Sequence, residues 1–243
     1  MNVWTLYEPS LVEEFGTMSR AVSQSGEEIN ANWMSRLIRY ESSGSVYYVK
    51  MYACRGRGLR QWFGRSRLRA EWENLRLFAS YGVATAELIA YGETGVRNYQ
   101  GAVITRGMVR TRDLAGLAQE GNPILADKRW RLGVIRHLSE SVRALHTAGF
   151  VHNDLKWRNI LVELDKDEPL AYLIDCPMGR VLWGPLLARG VVKDLACLDK
   201  GAKHVLSCTD RLRFYLAYSG KDRLQRDDKV KIKKVLRFFA GRE

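Results

Sequence analysis

The chain has 243 residues, of which 46% are hydrophobic and 27% charged, and its formal net charge is +12. This composition allows a sizeable core and excludes a chain that is disordered over most of its length. A membrane-spanning helix, which needs about 18 apolar residues, is excluded because the longest apolar run covers only residues 181–188 and contains Gly184 and Pro185.

The first part of the chain predicts a β-rich region with one helix. Strands are expected over residues 33–41, 46–52, 86–91 and 100–105. The second strand is rich in β-branched and aromatic residues, and a polar turn at residues 42–45 joins it to the first. A helix is expected from Ser66 because apolar residues then recur at spacings of four and three.

The second part of the chain predicts mainly helices. The expected helices cover residues 128–147, 190–206, 209–219 and 228–240, and a hairpin is expected over residues 160–164 and 170–174. A mostly β region followed by a mostly helical one is typical of the α+β class. We therefore expect a single domain with two unequal lobes, a small β-rich N-lobe over about residues 1–105 and a larger helical C-lobe over about residues 106–243.

The segment from His152 to Asn159 carries the strongest chemical signal. It matches the template H-R-D-L-x-x-x-N of protein kinase catalytic loops, with Asn153 in place of the arginine. Phosphoryl transfer requires one carboxylate that orients the attacking hydroxyl, together with metal ligands and phosphate clamps. Asp154 is the candidate carboxylate, Asn159 is a candidate Mg²⁺ ligand, and Lys156 is placed to reach the transferred phosphoryl group.

Asp175 is a second candidate metal ligand. It ends an apolar strand after the catalytic loop and a hairpin, which is the position of the aspartate in the D-F-G motif that binds Mg²⁺. Cys176 and Pro177 replace the phenylalanine and glycine of that motif. A switch driven by the phenylalanine is therefore not expected, whereas the metal carboxylate is retained.

Lys50 ends a strand that resembles the V-A-I-K strand of kinases, whose lysine contacts the ATP phosphates. An acidic partner is expected on the helix that follows, and the helical spacing favours Glu71 over Glu73. No glycine-rich loop of the G-x-G-x-x-G type precedes Lys50, so the phosphates must be covered in another way.

Basic residues are concentrated in two segments. Residues 50–70 contain seven basic residues and no acidic one, and residues 201–243 contain twelve basic and five acidic residues. Such clustering indicates an anionic partner. The arginines of the first segment are Arg55, Arg57, Arg60, Arg65, Arg67 and Arg69.

Taken together, the sequence resembles the lipopolysaccharide core kinases, the Kdo and heptose kinases of Gram-negative bacteria. The resemblance covers about residues 32–218 and is carried by the segments 47–50, 70–75, 82–86, 152–161, 173–175, 192–196 and 211–215. It implies a protein-kinase-like fold, ATP and Mg²⁺ as cofactors, and a sugar hydroxyl of the lipopolysaccharide core as the acceptor. It also implies that Asp194 steadies the catalytic loop from a buried helix.

Three alternatives remain open on the residues alone: another small-molecule kinase, a protein kinase, or a catalytically silent kinase-like binding module. The expected partners are the core glycolipid and an anionic inner-membrane surface, to which each Lys or Arg adds about 1 kcal/mol of attraction. We expect no nucleic-acid partner, because no motif other than charge supports one. Without a secretory signal pattern, the expected location is the cytoplasm, peripheral to the inner face of the membrane.

Overall fold

The computed structural model describes residues 3–58, 62, 64–95 and 98–241, and Arg60 lies outside this part of the chain. The protein is of the α+β class. The strands are β1 (Val3–Leu6), β2 (Glu27–Ala31), β3 (Ser35–Ser42), β4 (Ser45–Tyr52), β5 (Leu88–Thr94), β6 (Gln100–Arg106), β7 (Thr111–Asp113), β8 (Phe150–Val151), β9 (Ile160–Glu163), β10 (Ala171–Leu173) and β11 (Arg180–Val181). The helices are α1 (Val12–Phe15), α2 (Met18–Ser23), α3 (Arg67–Ser80), α4 (Leu114–Gln119), α5 (Lys128–Thr147), α6 (Gly184–Val205), α7 (Cys208–Ser219) and α8 (Arg226–Arg237).

The chain forms two compact units. The β unit consists of Met1–Leu77 and Ala86–Val109, and the helical unit consists of Phe78–Thr85 and Arg110–Glu243. The segment 78–85, which ends α3 and follows it, therefore belongs with the later part of the chain.

A six-stranded antiparallel sheet in the order β1-β5-β6-β4-β3-β2 forms the β unit. The predicted β3–β4 hairpin closes through Ser43 and Gly44, whose φ angles of 50° and 75° are those of a type I′ turn. Strand β4 lies between β3 and β6, so it is hydrogen-bonded along both edges. Its side chains alternate between the two faces of the sheet. Val49 packs in the core on one face, and Tyr52 packs in a second core cluster.

Helix α5 organises the helical unit and has the bounds that its apolar period predicts. Asp127 caps its first turn by accepting hydrogen bonds from the backbone N–H groups of Arg129 and Trp130. Gly149, with φ of 74°, directs the chain away from its end. The helix buries an apolar face that includes Val142 and Leu145.

Two features of the helical unit differ from the sequence expectations. Helix α6 begins at Gly184 rather than near residue 190, with Pro185 in its first turn. The short elements β7, α4, β8 and β11 were not predicted. Within the described residues, none of the helices combines the length and apolar character that crossing a membrane requires.

Candidate active site

Lys50 and Glu71 form a close ion pair within the β unit. The Lys50 Nζ lies 2.9 Å from both Glu71 carboxylate oxygens. Glu71 is buried on α3, and the Tyr52 hydroxyl donates a hydrogen bond of 2.8 Å to its Oε2. Lys50 and Tyr52 are two residues apart on β4 and so share a face of the sheet. The carboxylate is thereby fixed from two sides, and it holds the ammonium in one position.

Glu73, the alternative partner for Lys50, has a different role. It accepts hydrogen bonds of 2.9 Å from both Arg65 and Arg69. Burial would raise the pKa of Glu73, but the two arginines outweigh that effect and hold the pKa below its usual range. Two arginines of the basic segment are thus paired within the protein.

The other described arginines of that segment are Arg55, Arg57 and Arg67. The guanidinium of Arg57 lies over the Trp33 ring, 5.7 Å from its centroid. Arg55 donates to the carbonyl of Gly64. Arg57 is exposed, whereas Arg55 and Arg67 are half-buried. Within the described part of the chain none of the three forms an ion pair, so no carboxylate there neutralises their charge.

In the helical unit, the loop from His152 to Asn159 places three polar side chains together. Asp154 is partly open to solvent, and the Lys156 Nζ lies 2.6 Å from its Oδ1. Asn159 is buried, and its Nδ2 donates a hydrogen bond of 2.8 Å to the Asp154 carbonyl oxygen. Since the amide nitrogen is used in this way, the amide oxygen of Asn159 is the end available to a cation.

Asp194 holds the start of this loop from α6. Its carboxylate is fully buried and accepts hydrogen bonds from the backbone N–H groups of His152 (2.7 Å) and Asn153 (2.8 Å). The His146 Nε2 lies 3.4 Å away, and the Tyr218 hydroxyl lies 2.9 Å from the His146 Nδ1. This geometry confirms the expectation that Asp194 steadies the loop.

Two residues near the site have left-handed backbone conformations, which non-glycine residues adopt only when the surrounding structure enforces them. Asn153 has φ of 67°, and its Nδ2 donates to the Met178 carbonyl at 3.1 Å. Asp175 has φ of 54°. The preceding Ile174 donates its backbone N–H to the Asn159 carbonyl at 3.0 Å, so Asp175 directly follows a contact with the loop from His152 to Asn159.

The side chains of Cys176 and His152 are buried beneath the loop. The Cys176 side chain is fully buried, and its Sγ lies 3.6 Å from the His152 carbonyl oxygen. The His152 ring stacks near Phe78, with ring centroids 6.0 Å apart. Burial lowers the pKa of His152, although the charges of Asp194, Asp175 and Asp154 oppose the shift. Both side chains therefore support the loop rather than face the solvent.

The structure brings the predicted residues together in two sets. Lys50 and Glu71 belong to the β unit, whereas Asp154, Lys156, Asn159 and Asp175 belong to the helical unit. Tyr52 was not predicted from the sequence, although its position two residues after Lys50 could have indicated it. Across the described residues, no group of three or more His, Cys, Asp or Glu side chains is arranged to hold a metal. The pair Asn159 and Asp175 instead suits Mg²⁺ bound jointly with phosphate oxygens.

Comparisons with known proteins show which family the chain resembles. Residues 13–218 match the sequence profile of a family described as "Lipopolysaccharide kinase (Kdo/WaaP) family". The lipopolysaccharide core heptose(I) kinase WaaP of Pseudomonas aeruginosa is 28% identical over 196 residues, which are 75% of this chain and 73% of the relative. A solved structure described as WaaP in complex with acyl carrier protein is 25% identical, has a TM-score of 0.77, and covers 97% of each chain.

Proposed function

Because the chain belongs to the lipopolysaccharide kinase (Kdo/WaaP) family, we propose that it transfers a phosphoryl group from ATP to a heptose or Kdo hydroxyl of the lipopolysaccharide inner core. The observation that carries the proposal is the loop from His152 to Asn159, in which Asp154 is partly exposed while the buried Asp194 fixes the backbone before it. The relative from Pseudomonas aeruginosa is named a heptose(I) kinase, so a core heptose is the first acceptor to test.

In this proposal the β unit and the helical unit are the N-lobe and C-lobe of a protein-kinase-like fold. Lys50 binds the α- and β-phosphates of ATP, and Glu71 keeps its ammonium in place. Tyr52 adds a hydrogen bond to the same carboxylate. A lysine held in this way does not need to be ordered when the nucleotide binds.

Asp154 orients the acceptor hydroxyl and accepts its proton as the new bond to phosphorus forms. Its carboxylate is 28% exposed and is contacted by Lys156 at 2.6 Å, by the Asn159 Nδ2 at 3.4 Å and by Arg158 at 3.8 Å, so it remains reachable from solvent. Lys156 moves to the transferred phosphoryl group, where its positive charge offsets the charge that develops on the oxygens.

Asn159 and Asp175 are the residues that would hold Mg²⁺. One neutral and one anionic oxygen ligand, completed by phosphate oxygens and water, form a typical Mg²⁺ donor set. When bound there, Mg²⁺ would neutralise part of the phosphate charge. Asp175 has a left-handed backbone conformation and directly follows Ile174, whose N–H is bonded to the Asn159 carbonyl.

The charge of the protein fits an anionic glycolipid at the inner face of the membrane. Arg55, Arg57 and Arg67 bind phosphate or carboxylate groups of the core in this proposal. Their contribution falls as the salt concentration rises, because solvent-exposed charges are screened.

An acyl carrier protein is a second candidate partner. The solved relative was described in complex with such a protein. The helical unit contains an apolar cavity of about 340 Å³, whose walls include Leu138, Leu198, Ile232 and Val235. A fatty acyl chain would fill such a cavity. Replacing Leu198 by Trp should abolish co-elution with acylated carrier protein, and retained co-elution would exclude the cavity as its site.

The experiment for the main proposal is transfer of labelled phosphate from ATP with Mg²⁺ to purified core lipopolysaccharide lacking phosphate. We expect label in the glycolipid with the wild-type protein and none with Asp154→Ala. Parallel acceptors that end at Kdo or extend to heptose identify the sugar. Nucleotide binding without transfer to any core acceptor would exclude the acceptor class, and the absence of nucleotide binding would favour the catalytically silent module.

A further inference from the structure

A short stretch of the helical unit exposes three large apolar side chains. Val181, Trp183 and Leu186 are 45%, 75% and 64% exposed. A single exposed apolar residue is ordinary on a protein surface, whereas several close together mark an interaction site. We call the segment from Arg180 to Arg189 the apolar ridge.

The apolar ridge is held by the same strand that leads to the catalytic loop. β11 pairs with β8, with Val181 opposite Phe150, and the Leu182 N–H donates to the Gly149 carbonyl at 2.8 Å. At the other end, Gly190 lies so close to Val151 that a Cβ would come within 2.7 Å of its side chain. The exposed side chains are therefore presented from fixed backbone and do not need to be ordered when a partner binds.

The charges of the residues in and next to the apolar ridge indicate the kind of partner that it binds. Residues 176–192 contain no acidic residue, and the basic residues among them, Arg180 and Arg189, are exposed. Within the described part of the chain, neither arginine pairs with a carboxylate. Trp and Leu side chains flanked by arginines are the composition that binds the interface of an anionic bilayer. A second copy of the chain would instead bring like charges together.

We infer that the apolar ridge inserts Val181, Trp183 and Leu186 into the interface of an anionic lipid bilayer. The inference builds on the proposed function, because it places the catalytic loop next to a glycolipid anchored in that bilayer. Val151, which pairs with Arg180, lies three residues before Asp154. Insertion would thus fix the distance of the Asp154 loop from the membrane surface.

The test is flotation of the full-length protein with vesicles made of roughly three parts phosphatidylethanolamine to one part phosphatidylglycerol, without ATP or acceptor. Trp183→Ala and Val181→Asp should each lower the bound fraction about tenfold. Ile29→Asp is the matched control, since Ile29 is also β-branched, lies on edge strand β2 and is 46% exposed. It should change binding less than about twofold. Brominated lipids should quench the wild-type fluorescence more strongly than that of Trp183→Ala.

Several results would overturn the inference. These are the absence of wild-type binding to these vesicles, equal losses in Ile29→Asp and Val181→Asp, or unchanged binding in Trp183→Ala. Concentration-dependent dimerisation that Trp183→Ala abolishes, without vesicle binding, would assign the ridge to a second copy. Circular dichroism of each variant separates lost binding from lost folding. Since the flotation assay contains neither ATP nor acceptor, vesicle binding and phosphate transfer are measured independently, and either proposal can fail without the other.

Discussion

Asp154 and Asp194 of the helical unit have the same side chain but differ in burial and in their hydrogen-bond partners, and we expect different roles for them. The Asp154 side chain is 28% exposed and lies against Lys156 and Arg158, which are themselves largely exposed. The Asp194 side chain is 0% exposed and is bound to two backbone N–H groups. An exposed carboxylate with mobile partners can exchange them for a substrate, whereas a buried one with backbone partners cannot do so without unfolding the loop.

The same contrast separates the proposed catalytic loop, residues 152–159, from the part of α6 and α7 that supports it. The loop presents Asp154 and Lys156 to solvent, and the support buries Asp194 and Asp210. Changes that remove the charge of Asp154 or Lys156 should therefore alter activity at nearly constant stability, and changes in the support should alter stability first.

The largest expected effect is on catalysis. Asp154→Asn keeps the shape of the side chain but removes its basicity, so kcat should fall about a thousandfold. Because exposed ion pairs contribute at most about 1 kcal/mol, the free energy of unfolding should change little. Steady-state kinetics and urea unfolding of the same preparation check both statements. A large loss of stability would show that Asp154 belongs to the support.

The next effect is on stability. Asp194→Ala leaves the buried N–H groups of His152 and Asn153 without acceptors, each of which costs about 1–3 kcal/mol. We expect a total loss of about 3 kcal/mol in the free energy of unfolding, with kcat reduced as well. Urea unfolding measures the loss. The Asp194→Asn variant retains one acceptor oxygen, so its free energy of unfolding should lie between those of Asp194→Ala and the wild type. Equal stability of all three proteins would contradict the anchoring role.

Much of this arrangement follows from local patterns in the sequence. The apolar period of residues 128–147 predicts α5 with its bounds, because periodicity measures burial on one face of a single element. The Lys50–Glu71 pair is predicted in another way: the strand that ends at Lys50 resembles the V-A-I-K strand of kinases, and the spacing on the following helix favours Glu71.

The elements and contacts that the sequence does not predict depend on contacts between distant segments or on exposed residues. β8 and β11 contain two residues each, too few for a period to be visible. The first turns of α6 expose Leu186 and contain Pro185, so they lack the amphipathic pattern of a buried helix. The hydroxyl of Tyr52 reaches Glu71 only because α3 packs on the sheet. These features are set by tertiary structure, which local propensity does not encode.

A smaller effect on the support is expected from Gly201→Ala. A Cβ at this position on α6 would lie 2.7 Å from the indole of Trp157, a residue of the catalytic loop that donates to the Leu198 carbonyl at 3.0 Å. Overpacking costs about 1–3 kcal/mol, and replacing a helical glycine returns up to about 1 kcal/mol. Urea unfolding should therefore show a net loss of about 1 kcal/mol.

A double-mutant cycle tests the cause of that loss. In a Trp157→Leu background, the smaller side chain leaves room for the Cβ, so Gly201→Ala should become neutral or stabilising. The same loss in both backgrounds would show that the indole is not the contact responsible.

The smallest effect concerns acid stability of the support. Burial by itself would raise the pKa of Asp210, but Arg213 at 2.7 Å, the Ser207 hydroxyl and Arg131 outweigh it and hold the pKa below its ordinary value. A carboxyl with a lowered folded pKa stabilises the protein above its unfolded pKa of about 3.9, and this contribution is lost as the pH falls below it.

Urea unfolding between neutral pH and about pH 3 should thus show a loss of stability that is smaller in Asp210→Asn, because the amide has no proton to take up. Asp165→Asn is the matched control: Arg110 lowers the pKa of that exposed carboxyl too, but solvent screens the pair, so the acid slope should change less. If both variants reduced the acid-induced loss of stability equally, the burial of Asp210 would not explain a larger contribution from it than from the exposed Asp165. A slope reduced only by Asp210→Asn would show that proton uptake by this buried carboxylate contributes to acid unfolding and that the exposed Asp165 carboxylate contributes little.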